Sequence, residues 1–150
     1  MDNEKHQSAF ARAAAGDFIL SAAYANREKG IPTAPYGALF NTPDMFTIDR
    51  RSYVDARYTH QIGSRSEVMA RVAYDEYAYT GEYLFDGTVP PGPPSKIVNR
   101  DEVAGRWWSA EAAYSTTVGE RHTIVIGTAY KTSMTQDQRN FYVDPYQEVL

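Results

Sequence analysis

The sequence predicts an all-β fold, an antiparallel up-and-down meander of about six strands. Polar and apolar residues alternate along positions 46–79, apart from a break at 63–66, and this period of two is typical of two strands joined by a tight turn. The same alternation returns at 18–27, 103–117 and 122–133, between segments rich in glycine and proline. One sheet built from consecutive hairpins is therefore expected.

Length and composition fit one domain. The chain has 150 residues, of which 43% are apolar, and a formal charge of −4, which indicates neither disorder nor nucleic-acid binding. It has no cysteine, which excludes disulfides and thiolate metal sites. Its twelve tyrosines favour strands and wet or interfacial edges. The charged N-terminus, 1–5, predicts no signal peptide, and no apolar run approaches the roughly 18 residues of a transmembrane helix. A transmembrane β-strand needs only about 9 to 11 alternating residues.

The first elements are the least regular part of the chain. Residues 8–15, SAFARAAA, favour a helix by propensity but also alternate as a strand would, so both interpretations stay open. A break at Gly16-Asp17 then precedes a predicted strand over 18–27. Positions 28–44 are predicted to be a loop, because glycine and proline recur there too often for a regular element.

The hairpin over 46–79 carries a long polar row. In its first strand the row consists of the side chains at alternate positions from Thr47 to Gln61. After a turn at Gly63, the second strand continues it with Glu67, Arg71 and Asp75. We therefore expect both rows to share one face of an antiparallel hairpin.

Positions 80–101 are predicted to be a second long loop. The prolines within 90–94 exclude a helix or an inner strand, and a domain linker is the alternative interpretation. Strands are predicted over 103–117 and 122–133, joined by a tight turn at 118–121. The tail, 134–150, has no clear period.

Short and long connections alternate along the chain. The tight turns would all lie at one end of the meander and the long loops at the other, as in outer-membrane barrels with periplasmic turns and extracellular loops. Since about eight strands make the smallest such barrel, the pattern predicts a partial transmembrane β-barrel.

The two faces of the strands fit this interpretation. An apolar row with the aromatic residues Tyr58, Tyr74, Tyr114 and Tyr130 is expected to face outer-membrane lipid. Arg50 and Glu76 interrupt that row toward the long-loop ends. The opposite, charged row is predicted to line a wet lumen and consists of Asp49, Arg51, Asp55, Arg57, Arg71, Asp75 and Glu111.

Two passages resemble a known family. Residues 24–37, YANREKGIPTAPYG, with the following Phe40-Asn41, and residues 70–83, ARVAYDEYAYTGEY, are similar to passages in the barrels of TonB-dependent outer-membrane receptors, which import siderophores, cobalamin and other scarce nutrients. A looser similarity runs from Phe18 to Tyr130. Ala129 departs from the family, which often has glutamate there.

The resemblance implies that residues 1–150 are a single segment of a receptor barrel in the outer membrane of a bacterial cell. The implied partners are a siderophore or another small nutrient ligand, outer-membrane lipid, a plug domain, the remaining strands of a barrel of about 22 and, indirectly, the TonB energy-coupling protein. No plug domain and no TonB box are recognised in these residues.

Candidate binding residues lie on the predicted long loops. Tyr36, Phe40, Tyr83 and Phe85 are expected to stack on an aromatic or chelate ligand, with loop packing as the alternative. No catalytic residues, metal site, cofactor or nucleic-acid partner are predicted. His6, His60 and His122 have no metal-ligand spacing, and Asp55 with Asp75 is better explained as part of a cross-strand charge ladder than as an acid-base pair.

Two other function classes share features with a receptor barrel. A soluble, lipocalin-like barrel that binds a small molecule shares the up-and-down topology but needs an apolar interior, against which the polar row from Thr47 to Gln61 argues. An outer-membrane enzyme would need a catalytic constellation, and the sequence offers none. The chain is therefore not expected to be an enzyme.

Overall fold

The computed structural model describes residues 2–119 and 121–150 and forms one antiparallel sheet. Its strands in chain order are β1 (Glu4–Ala15), β2 (Phe18–Gly30), β3 (Phe46–Ile62), β4 (Ser66–Asp86), β5 (Lys96–Val118), β6 (His122–Tyr142) and β7 (Gln147–Glu148). A single 3₁₀ turn, Pro35–Gly37, lies between β2 and β3. In the described part of the chain, no helix is long and apolar enough to cross a membrane.

The sheet has the strand order β1-β2-β3-β4-β5-β6-β7, so every strand pairs with its neighbours in the chain. Within residues 2–119 and 121–150 the predicted all-β meander is therefore confirmed, with six long strands and a two-residue seventh. The sheet formed by these residues is not closed into a barrel. Residues 8–15, which left helix and strand open, belong to β1, because β1 pairs with β2 residue by residue from Glu4 to Ala15.

The predicted hairpin at the centre of the sheet is confirmed. Arg57 lies directly opposite Arg71, and Tyr53 lies opposite Asp75. Residues opposite each other in an antiparallel pair point to the same side, so the two polar rows share one face. The turn passes through Gly63, whose φ of 65° favours glycine.

The predicted loop over 80–101 is wrong at both ends. β4 continues to Asp86 and β5 begins at Lys96, so the connection spans only 87–95. The pairing of β4 with β5 continues beyond Tyr79, since Tyr83 pairs with Asn99 and Phe85 pairs with Ile97. Tyr83 and Phe85 therefore lie on a strand instead of a loop, and the prolines at 90–94 stay within the connection.

The tail also contains more strand than the sequence predicted. β6 runs to Tyr142, and its pairing with β5 shifts by one residue. Trp107 lies opposite Ser133 whereas Arg106 lies opposite Thr135, which leaves Met134 as a β-bulge. The bulge exchanges the faces of odd and even residues along β6, which explains why no single period is visible there.

Two further boundaries differ from the predicted ones or lie partly outside the described residues. β2 extends beyond Arg27 to Gly30, so the loop that follows it spans 31–45. The predicted turn at 118–121 includes Glu120, which lies outside the described residues, as does Met1. The pairing of Val118 with His122 closes the hairpin on either side of it.

The buried core is small and lies where the loop 31–45 meets β4. It consists of Ala38, Met45, Tyr83 and Leu84, with Ile31, Leu39, Phe85 and Val98 packed against it. The backbone N–H of Leu39 donates to the carbonyl of Leu84 over 2.7 Å, and that of Ile31 donates to Met45 over 2.9 Å. These bonds fix the loop over the end of the sheet.

Candidate functional site

One face of the sheet carries the predicted charged row. Register places all seven of its members on this face, which we call the charged face: Asp49, Arg51, Asp55, Arg57, Arg71, Asp75 and Glu111. Arg71 is at its centre, since its Nε donates to Asp55 and its Nη1 donates to Glu111 over 2.8 Å. The side chain of Asp55 is only 14% exposed. The charges are therefore tied into a cross-strand network.

A recess of about 420 Å³ opens on the charged face beside this network. Arg12, Arg51, Arg57 and Arg71 line it together with Asp55 and Asp75. Arg51 lies 3.9 Å from Asp75, whereas Arg57 forms no ion pair with any described residue. The Asp55 and Asp75 carboxylates each face an arginine, an arrangement that suits a charge ladder better than acid-base catalysis.

The opposite face has the reverse pattern of exposure. Its central part, which we call the apolar band, consists of Phe18, Leu20, Tyr24, Val54, Tyr58, Val72, Tyr74, Trp108, Tyr114, Ile126 and Tyr130. Ile126 is 69% exposed and Tyr130 is 68% exposed. The apolar side chains thus point outward while the acidic ones are covered.

Aromatic rings border the apolar band on both sides. Toward the loops, the rings of Tyr74 and Trp108 lie 5.0 Å apart, and toward the turns those of Phe18 and Tyr58 lie 4.8 Å apart. Beyond the loop-side border this face becomes charged. There the carboxylate of Glu76 pairs with Arg106 at 3.0 Å. One of the two charges that interrupt the apolar row is therefore neutralised outside the band.

A second recess lies at the loop end of the charged face, and we call it the loop-end pocket. Its volume is about 410 Å³, and it is lined by Tyr36, Tyr83, Phe85, Asn99, Asp101, Asn140 and Tyr142. Asn99 is buried and exchanges amide hydrogen bonds with Asn140 at 2.8 and 3.1 Å. The Oδ1 atom of Asp101 is buried and has no hydrogen-bond partner.

Tyr36, which lines the pocket, has an unusual backbone conformation. Its φ of 57° lies in the left-handed region, which a tyrosine rarely adopts. Its side chain is 87% exposed and meets the ring of Tyr83 edge to face, with the centroids 5.9 Å apart. Such strained, exposed residues concentrate where a protein binds a ligand.

Gly81 provides the space for two rings at the pocket's edge. A Cβ at this position would lie 2.6 Å from the Tyr79 hydroxyl and 2.8 Å from the Tyr83 ring, so any side chain here would force the two rings to shift. Tyr79 lies on the charged face, closer to the loops than the level of the apolar band. Burial raises the pKa of Tyr79, and the hydrogen bond with Tyr83 raises it further. Tyr79 is therefore held as a neutral phenol.

The structure brings three of the four predicted binding residues together. Tyr36, Tyr83 and Phe85 line one pocket, whereas Phe40 lies outside it with its side chain 78% exposed. Asn99, Asp101, Asn140 and Tyr142 were missed, because they lie in segments predicted as loop and tail. Residues 97–102, IVNRDE, do not alternate between apolar and polar side chains, so local periodicity contained no signal for the first two.

Among residues 2–119 and 121–150, no group of three or more acidic or histidine side chains is placed to hold a metal ion. The Nδ1 atom of His60 lies 2.7 Å from Asp17, beside the turn between β1 and β2.

Comparisons with protein-family models, with curated proteins and with solved structures found no match for this chain.

Proposed function

We propose that the chain is part of an outer-membrane receptor that imports a siderophore or a similar scarce nutrient with energy supplied through TonB. The exposed apolar band between aromatic borders carries this proposal. In water, an exposed apolar patch of this extent would favour aggregation, whereas lipid would cover it.

The charged face supports the proposal from the other side of the sheet. Transmembrane barrels combine an outward apolar band with a polar interior, and their side chains alternate between the two along every strand. The side chains of Asp55 and Arg71 are largely covered, at 14% and 32% exposed, as expected for a wall that faces a wet lumen or a plug domain. A lipocalin-like barrel would need the apolar side chains on the inside.

The connections support the same arrangement. The turns after β1 and β3 are tight, while the connections 31–45 and 87–95 are longer and lie at the opposite ends of the strands. Those strand ends would face the outside of the cell, and the loop-end pocket would then open toward arriving ligand. Because an open sheet leaves β1 unpaired on one side, the remaining strands of a larger receptor barrel would complete it.

Two adjacent tryptophans offer a direct test of the membrane assignment. Trp108 belongs to the apolar band and Trp107 to the charged face. In lipid vesicles, the Trp107→Phe variant should lose its emission to brominated lipid, because its remaining indole touches acyl chains. The Trp108→Phe variant should respond to aqueous iodide instead. Equal quenching of both variants by brominated lipid would contradict the proposed orientation.

Ligand capture tests the receptor role separately. The purified chain in micelles of a neutral sugar detergent should bind ferric chelates saturably, as measured by quenching of intrinsic fluorescence. Removing the Tyr36 ring should weaken this binding. A chain that inserts as proposed but binds no chelate, alone or within the completed barrel, would contradict the receptor role and leave the membrane assignment standing.

A further inference from the structure

We infer that the loop-end pocket binds a primary or secondary ammonium group, so that the imported nutrient carries such a group. This inference deepens the proposed receptor function and rests on it for the identity of the ligand as an imported molecule. Its basis is that Asp101, whose Oδ1 atom is buried without a hydrogen-bond partner, lines the same recess as four aromatic rings.

The carboxylate of Asp101 supplies the first part of the argument. Its Oδ1 atom is buried and accepts no hydrogen bond from any described residue. A buried acceptor without a donor is costly, and a charged one more so. Neighbouring amides do not relieve it, since Asn99 and Asn140 donate to each other. A donor from a ligand would satisfy it, and a cationic donor would form the stronger, charge-assisted bond.

The aromatic rings supply the second part. Tyr36, Tyr83, Phe85 and Tyr142 line the same recess, and the faces of such rings attract cations. None of the described residues that line the pocket is lysine, arginine or histidine. An anion would therefore meet a carboxylate and negative ring faces without a compensating charge. The lining instead favours a cation that also donates hydrogen bonds.

The volume and position limit the size of the group. The recess of about 410 Å³ accommodates an alkylammonium chain but not a whole chelate. Tyr36, which is 87% exposed and contacts the Tyr83 ring, belongs to its lining. The ammonium end would enter the pocket while the bulk of the ligand remains above the loop 31–45. The ring of Tyr36 would then close over the bound chain.

The test uses the full chain in octyl glucoside, a neutral detergent that does not compete for a cation site. The probe is butylammonium chloride, titrated by calorimetry, with butanol and sodium butyrate as neutral and anionic comparisons of the same chain length. Saturable binding of butylammonium alone is expected. Tetramethylammonium should bind more weakly, because it cannot donate a hydrogen bond to Asp101.

Variants locate the site. Asp101→Asn keeps the shape of the side chain and should weaken butylammonium binding about tenfold, through the loss of the charge-assisted bond. Glu102→Gln changes the adjacent carboxylate on the opposite face and should leave butylammonium binding unchanged. If Asp101→Asn fails to fold, as judged by circular dichroism, Tyr142→Leu provides the second variant and should weaken binding several-fold.

Three results would overturn the inference: no saturable binding of butylammonium, equal binding of butanol or butyrate, or unchanged affinity in both pocket variants. A separate result distinguishes the two proposals. If a ferric chelate without an amine binds as tightly as the same chelate carrying an aminoalkyl arm, the ammonium inference fails and the receptor role stands. If neither chelate binds while butylammonium does, the receptor role fails and the cation site stands.

Discussion

The hydroxyl oxygens of Tyr79 and Tyr83 lie 2.7 Å apart at the loop end of β4. Both rings extend over Gly81, which separates the two residues on the same face of the strand. The hydrogen bond holds Tyr83 in the wall of the loop-end pocket. The shape of that wall therefore depends on a residue that has no side chain.

Replacing Gly81 by alanine should disturb this wall. The added methyl would overlap the Tyr79 hydroxyl and the Tyr83 ring, so we expect a loss of about 1 to 3 kcal/mol in unfolding free energy and weaker ligand binding. Thr80→Ala, on the opposite face, should change pocket binding little. Denaturant unfolding and fluorescence titration measure both effects, and an unchanged affinity in Gly81→Ala would contradict the role given to Gly81.

The two arginines Arg71 and Arg57 should differ although they lie opposite each other. Arg71→Met leaves the carboxylates of Asp55 and Glu111 without their donor and should cost about 1 to 2 kcal/mol in unfolding free energy. Arg57→Met should be neutral or slightly stabilising, because it removes repulsion between directly opposed like charges. Denaturant unfolding in micelles measures both values. Equal costs would argue against the network centred on Arg71.

The apolar band predicts a difference between neighbours on β6. Ile126 is 69% exposed on the band, and Val125 is 65% exposed on the charged face. Ile126→Arg should cost about 1 to 3 kcal/mol of folding stability in lipid vesicles, because it places a charge against acyl chains. Val125→Arg should cost much less. If both variants insert and fold as the natural chain does, this face does not contact lipid.

Ligand capture should depend on the pocket rings and not on the band. In the completed receptor, Tyr36→Ala and Tyr83→Ala should weaken binding, whereas Tyr58→Ala should change only stability or insertion. Binding to cells with matched surface levels of each variant measures this. Substituting Arg57 or Arg71 should affect passage of the ligand more than its first binding. Similar binding by the Tyr36 and Tyr58 variants would sink the pocket assignment.

The connection 87–95 should respond to acid through Asp86. Hydrogen bonds from the Thr88 hydroxyl and backbone N–H lower the pKa of Asp86, so the carboxylate stabilises the connection above its unfolded pKa. This contribution is lost as the pH falls through the lowered, folded value. The protection of the Thr88 amide from hydrogen exchange, corrected for the pH dependence of the intrinsic exchange rate, should therefore decrease below about pH 4. Asp86→Asn should remove the pH dependence of that protection.

The sequence predicted the meander because the alternation is unbroken where glycine and proline are scarce. It failed where two signals competed. The prolines at 90–94 made the whole of 80–101 look irregular, although its two ends pair as strands, with Leu84 opposite Val98. The pocket was only half predicted, since Asn99 and Asn140 share a site through long-range register. Local periodicity contains no information on that pairing.

The bulge at Met134 reverses which residues of β6, odd-numbered or even-numbered, lie on the charged face. Below it, Lys131 and Ser133 face the charged side as odd-numbered residues, and above it Asn140 and Tyr142 reach the same side as even-numbered ones. If Met134 were instead paired in a regular ladder, those two residues would turn to the face that carries the apolar band, whereas deleting Met134 would leave them on the charged side. The chain could keep every residue of the loop-end pocket and still lose the pocket, because the one bulged residue determines on which face of the sheet Asn140 and Tyr142 lie.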